Sequence, residues 1–259
     1  MRATICLLAF FPAVLQSLPA AEPAPPGDLP GWKLVWHDEF DGTAFDESKW
    51  NVMEKKLHKN KERQYYAADE CYVEKGCAVL RSQKREMEGR PYTSGHIDTR
   101  GKFSFEYGRV EVRAKLPKGK GIWPAHWMLP EDRRWPPEID IMEMLGHKPT
   151  RILMTVHHRQ LDKPAHAGFS YVGPDFSADY HTFALEWEPD RLTWTIDGQR
   201  RHFSPLYSPD TPFFIILNTA VGGILPGNPD KTTKFPQYHY IDYVRVWKRD
   251  ETTKPIERL

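Results

Sequence analysis

Three carboxylates fall within six residues of apolar, β-prone sequence. Glu138 and Asp140 are two positions apart, and Glu143 follows three positions later. Side chains alternate between the faces of a strand, so Glu138 and Asp140 share a face, whereas parity places Glu143 on the other. One extra residue around Ile141 or Met142 would form a β-bulge and return Glu143 to the first face. We therefore predict a bulged strand with all three acids on one side.

Acids in this arrangement suit the cleavage of a glycosidic bond. That reaction needs an acid to protonate the leaving oxygen and an anion to trap the sugar from the opposite side. Two pleated steps separate the Cα atoms of Glu138 and Glu143 by about 13 Å. If both side chains lean inward on a concave sheet, their carboxyl groups can approach to the roughly 5 Å that a double-displacement mechanism requires. A solvated acidic face or a calcium cluster is the alternative for such a run.

The surrounding residues favour the catalytic interpretation. Ile139, Ile141 and Met142 separate the acids and would pack the opposite face into a core. The preceding segment, from Gly121 to Pro130, is aromatic in the manner of sugar-binding sites. Tryptophan rings stack on the C–H faces of pyranose rings, an apolar contact with a defined geometry.

These segments carry a resemblance to a known family. The motif Glu138-Ile-Asp140-Ile-Met-Glu143 resembles the signature of glycoside hydrolase family 16, in the form with one extra residue found in laminarinase-like endo-β-1,3-glucanases. Other segments resemble the family in the family's own order: Tyr107 to Trp127, Phe213 to Gly223, Pro226 to Asp230 and Tyr240 to Val246. The resemblance covers the chain from about Leu34 to Trp247.

The resemblance implies a role for each matched residue. Glu138 corresponds to the nucleophile, Asp140 to a helper carboxylate and Glu143 to the general acid/base. Neighbouring carboxylates are expected to raise the pKa of Glu143, so that it stays protonated in mildly acid to neutral conditions. Trp123 and Trp127 match residues that line the family's cleft, and we expect at least one of them to contact sugar; a core position is the alternative.

Four further residues are candidates for contact with the glycan. His157 lies where the family usually has a cleft-facing His, and Asn60 lies in a segment similar to one on the cleft rim. His96 stands where many relatives carry a sugar-contacting Arg. Trp135 is either a sugar platform or a core residue. A structural role is the alternative for any lone His on a strand, and a plain turn is the alternative for Asn60.

Other departures from the family pattern bear on the glycan preference and leave the acids intact. Gly95 stands where relatives often have Ala, His126 replaces a typical Phe, and Pro137 replaces a typical Gly. The loop before Pro226 lacks a common Trp.

The resemblance also implies one structural Ca²⁺ ion away from the cleft. Glu39, the carbonyl of Gly76 and Asp242 match the family's oxygen ligands, and hard oxygen ligands suit this ion. Ordinary surface acids are the alternative. No cofactor is expected to take part in the chemistry itself.

The strand pattern predicts an all-β fold. Short alternating runs follow one another between Gly, Pro and Asp residues, and Asp197-Gly198 has the composition of a hairpin turn. No stretch has a sustained helical period, and 23 Pro argue against long helices. We predict one domain of two packed antiparallel sheets, which agrees with the family's jelly-roll β-sandwich and its concave substrate cleft.

The two ends of the chain differ in composition from this domain. Residues 1–21 resemble a secretory signal peptide: Arg2 precedes the apolar run from Ile5 to Leu15, and Ala20 and Ala21 form a small-residue cleavage site. The run is too short for a membrane span, so we expect a secreted protein, extracellular or periplasmic; an N-terminal anchor is the alternative. Residues 22–30 form a Pro-rich leader, 31–250 the catalytic domain and 251–259 a tail.

The cysteine content leaves two readings open. Cys6 would leave with the signal peptide. Cys71 and Cys77 flank the turn-like residues 74–76, and they could form a disulfide in an oxidising compartment if their strands pair across that turn. Two unpaired, buried cysteines are the alternative.

Charge and composition limit the class of partner. The net charge of +1 gives no electrostatic case for nucleic acid or an anionic membrane. The family resemblance implies a polysaccharide partner, most simply a β-1,3-glucan of the laminarin type, and an endo-acting retaining hydrolase that we expect to be a monomer. The alternatives are a hydrolase or transglycosylase of mixed-linkage glucan or algal galactan, and a non-catalytic glycan-binding protein on the same fold.

Overall fold

The computed structural model describes residues 24–132 and 134–252. The predicted signal peptide with Cys6, the first two residues of the leader and most of the predicted tail lie outside these ranges. The regular secondary structure of the described chain is almost entirely β-strand, as predicted, with one short 3₁₀ helix at Ala68–Glu70. No helix within the described ranges is long and apolar enough to cross a membrane.

Most strands belong to two antiparallel sheets, which confirms the jelly-roll sandwich. In spatial order, the outer sheet contains β16 (Gln199–Ser204), β15 (Arg191–Ile196), β14 (His181–Glu188), β9 (Gly108–Lys115), β18 (Gln237–Arg249), β6 (Cys77–Ser82) and β5 (Cys71–Glu74), with β1 (Trp32–Asp38) also paired to β18. The cleft sheet contains β13 (Lys163–Val172), β12 (Arg151–Gln160), β11 (Glu138–Met144), β10 (Ile122–Pro130), β17 (Phe213–Val221), β8 (His96–Asp98) and β2 (Asn51–Val52). A small third sheet contains β3 (Lys55–Lys56), β4 (Gln64–Tyr66) and β7 (Tyr92–Ser94).

Strand β9 shows how the sequence builds the sandwich. Val110 and Val112 are fully buried, while the alternating residues Arg109 and Glu111 face outward. On the outer face, Arg109 pairs with Glu111 at 2.6 Å and with Glu186 of β14 at 2.9 Å. The alternation therefore supplies one apolar face for the core and one charged face that links neighbouring strands.

The hydrophobic core lies between the two large sheets. Ile139 and Met142 enter it from β11, and Phe183, Trp187 and Trp194 enter it from the outer sheet. Burying an aromatic or aliphatic side chain of this size contributes about 1.5–3 kcal/mol each. The strand that carries the acids is therefore anchored by its opposite face in the main hydrophobic core.

The turn at residues 197–198 confirms the predicted hairpin. Asp197 and Gly198 have φ values of 52° and 70°, both in the left-handed region that a two-residue primed turn requires. Strands β15 and β16 pair directly on either side of it.

The two described cysteines are unpaired thiols. Strands β5 and β6 do pair across the turn, but Cys71 lies opposite Leu80 and Cys77 opposite Glu74. The register thus places the thiols three positions apart along the ladder, which rules out the disulfide alternative in this structure.

Gly95, which stands where relatives often have Ala, is required by a close approach. A Cβ at this position would lie 2.8 Å from Cβ and 2.9 Å from Cα of Leu80, and 3.0 Å from Sγ of Cys71. The bend between β7 and β8 therefore packs directly on β5 and β6, and it leaves no room for a methyl group.

Candidate active site

The central feature of the site is an irregularity in β11. Against β12, Asp140 pairs with Thr155 and Glu143 with Leu153, so three steps on β11 correspond to two on its neighbour. The pairing with β10 shifts at the same level. The extra residue is a β-bulge at the predicted place, and both Ile141 and Met142 point into the core. The bulge brings Glu143 onto the face of the other two acids.

The three acids face a single cavity of about 970 Å³ across the cleft sheet. Its lining includes every residue that the sequence predicted for catalysis or sugar binding: Glu138, Asp140, Glu143, Trp123, Trp127, Trp135, His157, Asn60 and His96. This volume is that of a ligand-binding cleft. The structure thus brings all nine candidates together.

Two tryptophans hold the two glutamates. The indole N–H of Trp123 donates to Oε1 of Glu143 at 2.9 Å, and that of Trp135 donates to Oε2 of Glu138 at 2.8 Å. Trp123 is buried, whereas 46% of Trp135 is exposed at the cleft rim. Hydrogen bonds to a carboxylate fix its orientation and contribute about 1.5–3 kcal/mol each. Both rings therefore act on the acids directly, whatever further contact they make with a sugar.

Asp140 lies deepest of the three acids. Its side chain approaches His157 Nε2 at 3.2 Å, and its backbone carbonyl accepts a hydrogen bond from Trp194 of the outer sheet at 3.0 Å. Burial raises the pKa of Asp140 well above its ordinary value, and the charge of Glu138 raises it further. A carboxyl group in this position favours sharing a proton with a neighbouring acid.

The environment of Glu143 favours its protonated form. Burial is the main cause that raises its pKa well above the ordinary value, followed by the charge of Asp140; the hydrogen bond from Trp123 acts in the opposite direction. The pKa is thus shifted in the predicted direction, but the largest single cause is desolvation and not the charge of a neighbouring carboxylate. Such a group can donate a proton at neutral pH.

Trp127 forms part of the cleft floor, and its indole N–H is hydrogen-bonded. Its indole N–H donates to Oδ1 of Asn218 at 2.7 Å, and Asn218 donates in turn to the hydroxyl of Tyr66 at 2.9 Å. The ammonium of Lys59 lies 5.5 Å above the centre of the Trp127 ring. The ring is therefore fixed at its edge by Asn218, and the Lys59 ammonium lies over one of its faces.

Asn60 and His96 lie on the same side of the cleft. Asn60 has a left-handed φ of 50° and donates to Glu62 at 3.2 Å, so it both forms a turn and lines the cavity. His96 is buried, packs edge-on against Tyr66 and lies 3.3 Å from Asp98. Its imidazole thus replaces the longer Arg of many relatives with a shorter group held inside the wall.

Several cleft residues were missed by the sequence reasoning: Lys59, Arg100, His166, Phe214 and Asn218. Lys59 was signalled only by its position beside Asn60. Asn218 and Phe214 belong to a segment similar to the family, but nothing in their spacing indicates which face they occupy. His166 reaches the cleft because β13 pairs with β12, where it lies directly opposite His157.

The residues expected to hold calcium do not line the cleft, and their carboxylates already have partners. Glu39 accepts from Arg245 at 2.7 and 3.0 Å, and Asp242 accepts from Arg113 at 2.5 Å. A Ca²⁺ ion bound with the carbonyl of Gly76 would have to share these carboxylates with the guanidinium groups or displace them. The calcium site stays a prediction.

Comparison with known proteins adds an independent result. The family described as glycosyl hydrolases family 16 matches residues 50–245. A β-glucanase of Rhodothermus marinus is 37% identical over 246 residues, which cover 85% of this chain and 86% of that protein. A glucan endo-1,3-β-glucosidase of Cryptopygus antarcticus is 35% identical over 254 residues, covering 83% of this chain and 92% of that protein. The solved laminarinase catalytic domain of Thermotoga maritima MSB8 superposes with a TM-score of 0.80 at 43% identity, covering 86% of this chain and 100% of that chain.

Proposed function

This chain belongs to family 16 of the glycosyl hydrolases and is an O-glycosyl hydrolase; on that premise we propose that it cleaves β-1,3-glucan within the chain, with retention of configuration. The observation that carries the proposal is the bulge in β11, which sets Glu138 and Glu143 on one face of one cleft. The relatives named above are β-glucanases and laminarinases, and they support a glucan substrate.

The first step uses both glutamates. Glu143, kept protonated by burial, gives its proton to the glycosidic oxygen while the carboxylate of Glu138 attacks the anomeric carbon. The glycosidic bond breaks, the shortened glucan leaves as an alcohol, and a glycosyl ester forms on Glu138. The indole of Trp135 keeps the attacking carboxylate oriented.

The second step reverses these roles. Glu143, now ionised, takes a proton from water, and the resulting hydroxide attacks the anomeric carbon of the ester. The ester bond breaks and Glu138 is released as a carboxylate. Asp140 lies between the two glutamates, and its raised pKa lets it hold a proton beside Glu138 when that group is charged.

The cleft walls support a neutral, extended sugar chain. Trp127 offers a ring in the floor and Trp135 one at the rim, and both faces suit the C–H surface of pyranoses. At the far end, Ile224 and Leu225 are 61% and 50% exposed and take the place of the missing Trp. We expect a sugar to stack more weakly on these aliphatic side chains than on a Trp ring. The preference for one glycan over another is then set mainly by the central part of the cleft.

The substrate and stereochemistry are tested together by one set of digestions. Laminarin, lichenan, agarose and carrageenan are incubated with the protein, and proton NMR follows the anomer and linkage of the new reducing ends. We expect laminarin to be cleaved fastest, with β-anomers appearing before mutarotation. Cleavage of a galactan alone, growth of longer chains, or binding without cleavage would each favour one of the alternative functions. Early α-anomers would contradict the retaining mechanism.

Replacing Trp135 by Phe separates the two roles of this ring. The variant keeps an aromatic face but loses the N–H that holds Glu138, so we expect kcat to fall about tenfold while KM changes less than threefold, since a hydrogen bond to a charged group contributes about 1.5–3 kcal/mol. Trp32→Phe, on the outer sheet, is the matched control. A raised KM with kcat unchanged would show that Trp135 acts as a sugar platform alone.

Export and assembly remain predictions from the sequence. We propose that the protein is secreted, because residues 1–21 have the pattern of a signal peptide. We also propose that it acts as a monomer, since the complete set of acids comes from one strand of one chain.

A further inference from the structure

Three donor atoms of the cleft converge on one point. His157 Nε2 lies 3.2 Å from Oδ2 of Asp140 and 3.6 Å from Oε1 of Glu138. Donor atoms of these three side chains all lie within 4.8 Å of one another. They combine one imidazole nitrogen with two carboxylate oxygens, which is a different donor chemistry from a cluster of acids alone.

The spacing of these atoms matches the coordination shell of a small cation. Zinc binds His nitrogen and carboxylate oxygen at about 2.0–2.2 Å in a tetrahedral arrangement, so two of its donors lie about 3.3–3.5 Å apart. The two measured distances from His157 bracket that value. The imidazole of His157 therefore already lies at ligand-to-ligand distance from both carboxylates.

The three side chains are held by the fold. Glu138 and His157 lie directly opposite each other on β11 and β12, and Asp140 lies in the next cleft-facing position. The indole of Trp135 occupies Oε2 of Glu138 and leaves Oε1 facing the histidine. A partner that fixes a metal-binding carboxylate in this way is a common feature of metal sites.

From this arrangement we propose that the cleft binds one Zn²⁺ ion through Glu138, Asp140 and His157, and that the ion and a glycan exclude each other. The fourth coordination position opens into the cleft, where water completes the shell. Since the ion would occupy the carboxylate proposed as nucleophile, zinc is expected to be a competitive inhibitor. Binding of the ion itself does not depend on the proposed hydrolytic function.

Two neighbouring side chains, those of Glu143 and His166, lie outside the proposed ligand set. Glu143 lies beyond the bulge, where its Oε1 accepts from Trp123. His166 lines the cleft beside His157, with ring centres 5.8 Å apart, but it lies outside the group of three. The proposal thus selects two of the three acids and one of two adjacent histidines, which provides matched control variants.

Titration calorimetry of the metal-free protein with ZnCl₂ tests the site directly. We expect one ion per chain, and at least tenfold weaker binding in Glu138→Gln, Asp140→Asn and His157→Gln. The control variants Glu143→Gln and His166→Gln should bind within threefold of wild type. CaCl₂ should show no binding that these substitutions weaken, because Ca²⁺ prefers six to eight oxygen ligands at longer distances. Thermal melting establishes that each variant is folded.

Two outcomes would overturn the proposal: no zinc binding by the wild-type protein, or binding that the three ligand variants leave unchanged. A second measurement uses unsubstituted protein, with zinc titrated in the presence of saturating laminarihexaose and the ion located by anomalous diffraction. We expect the oligosaccharide to weaken binding at least tenfold, and density elsewhere would again contradict the site. If the protein does not bind laminarihexaose, the glucan proposal fails, while the direct titration still decides the metal site.

Discussion

Exchanging either glutamate for its amide is expected to reduce glucan hydrolysis by at least a thousandfold. Under the proposed mechanism, Glu138→Gln removes the anion that forms the glycosyl ester, and Glu143→Gln removes the proton donor for the leaving oxygen. A thousandfold loss corresponds to about 4 kcal/mol of activation free energy. Steady-state rates on laminarin, or on the best substrate of the panel above, give the measurement. Glu74→Gln, the same chemical change on an outer-sheet turn, should lower the rate less than twofold.

Rescue experiments distinguish the two roles. An aryl glycoside of an acidic phenol releases its phenolate without protonation. The Glu143→Gln variant should therefore form the glycosyl ester from this substrate at nearly the normal rate and then stall at hydrolysis of the ester. Azide ion can replace the missing nucleophile in Glu138→Ala and give an α-glycosyl azide, whereas in Glu143→Ala it attacks the ester and gives a β-glycosyl azide. The opposite pattern of products would exchange the two assignments, and retention of full activity in either amide variant would reject the mechanism.

A second large effect concerns a histidine pair in the core. His126 of β10 and His239 of β18 are fully buried between the sheets, with their Nε2 atoms 3.0 Å apart. Thr219 lies 3.3 Å from Nδ1 of His239, and the ring of His126 packs edge-on against Phe183. Burial lowers the pKa of His239 to about 3. Burial also lowers the pKa of His126 well below its ordinary value, and the charge of His239 lowers it further.

These shifts predict a loss of stability in acid. The unfolded chain takes up protons on both histidines as the pH falls below about 6.5, while the folded protein keeps them neutral. The stabilisation is therefore complete above pH 6.5 and is lost progressively toward the folded pKa, which is about 3 for His239. For His239 alone the loss at pH 4.5 is about 3 kcal/mol, from two pH units at about 1.4 kcal/mol each. Urea unfolding between pH 4.5 and 7.5 measures it.

His126→Phe is the matching variant, since Phe stands at this position in many relatives. It removes one of the two buried proton-binding sites and places an apolar ring against Phe183, so we expect the histidine contribution to the slope of unfolding free energy against pH to fall by about half. His202→Phe, on an outer strand, should leave most of the slope in place. An unchanged slope in His126→Phe would show that other groups control acid unfolding.

The sequence was sufficient to predict the fold class and the bulged strand that carries the three acids. Alternation in runs such as residues 109–115 is a local property, because a strand with one buried face needs it whatever its neighbours are. The bulge was also predictable, since three acids of mixed parity can share a face only if one residue is extra. The hairpin at Asp197-Gly198 followed from turn chemistry.

Tertiary structure alone decided which groups meet across the sheets. His157 reaches Asp140 because of the register between β11 and β12, and the pairing of His126 with His239 joins residues 113 positions apart. The contacts of Trp123 and Trp135 with the two glutamates depend on side-chain rotamers, which no periodicity encodes. The cysteines show the same division: the sequence placed them on paired strands, and only the register kept them apart.

What the sequence determined by itself was the identity and order of the reactive groups, because these are local in the chain. What the fold decided was their environment, because burial and hydrogen bonding arise from residues that are distant in sequence. The pKa of Glu143 illustrates the difference: the neighbouring acids could be read from the motif, but the larger cause of its shift is the desolvation that the closed sandwich and its cleft impose.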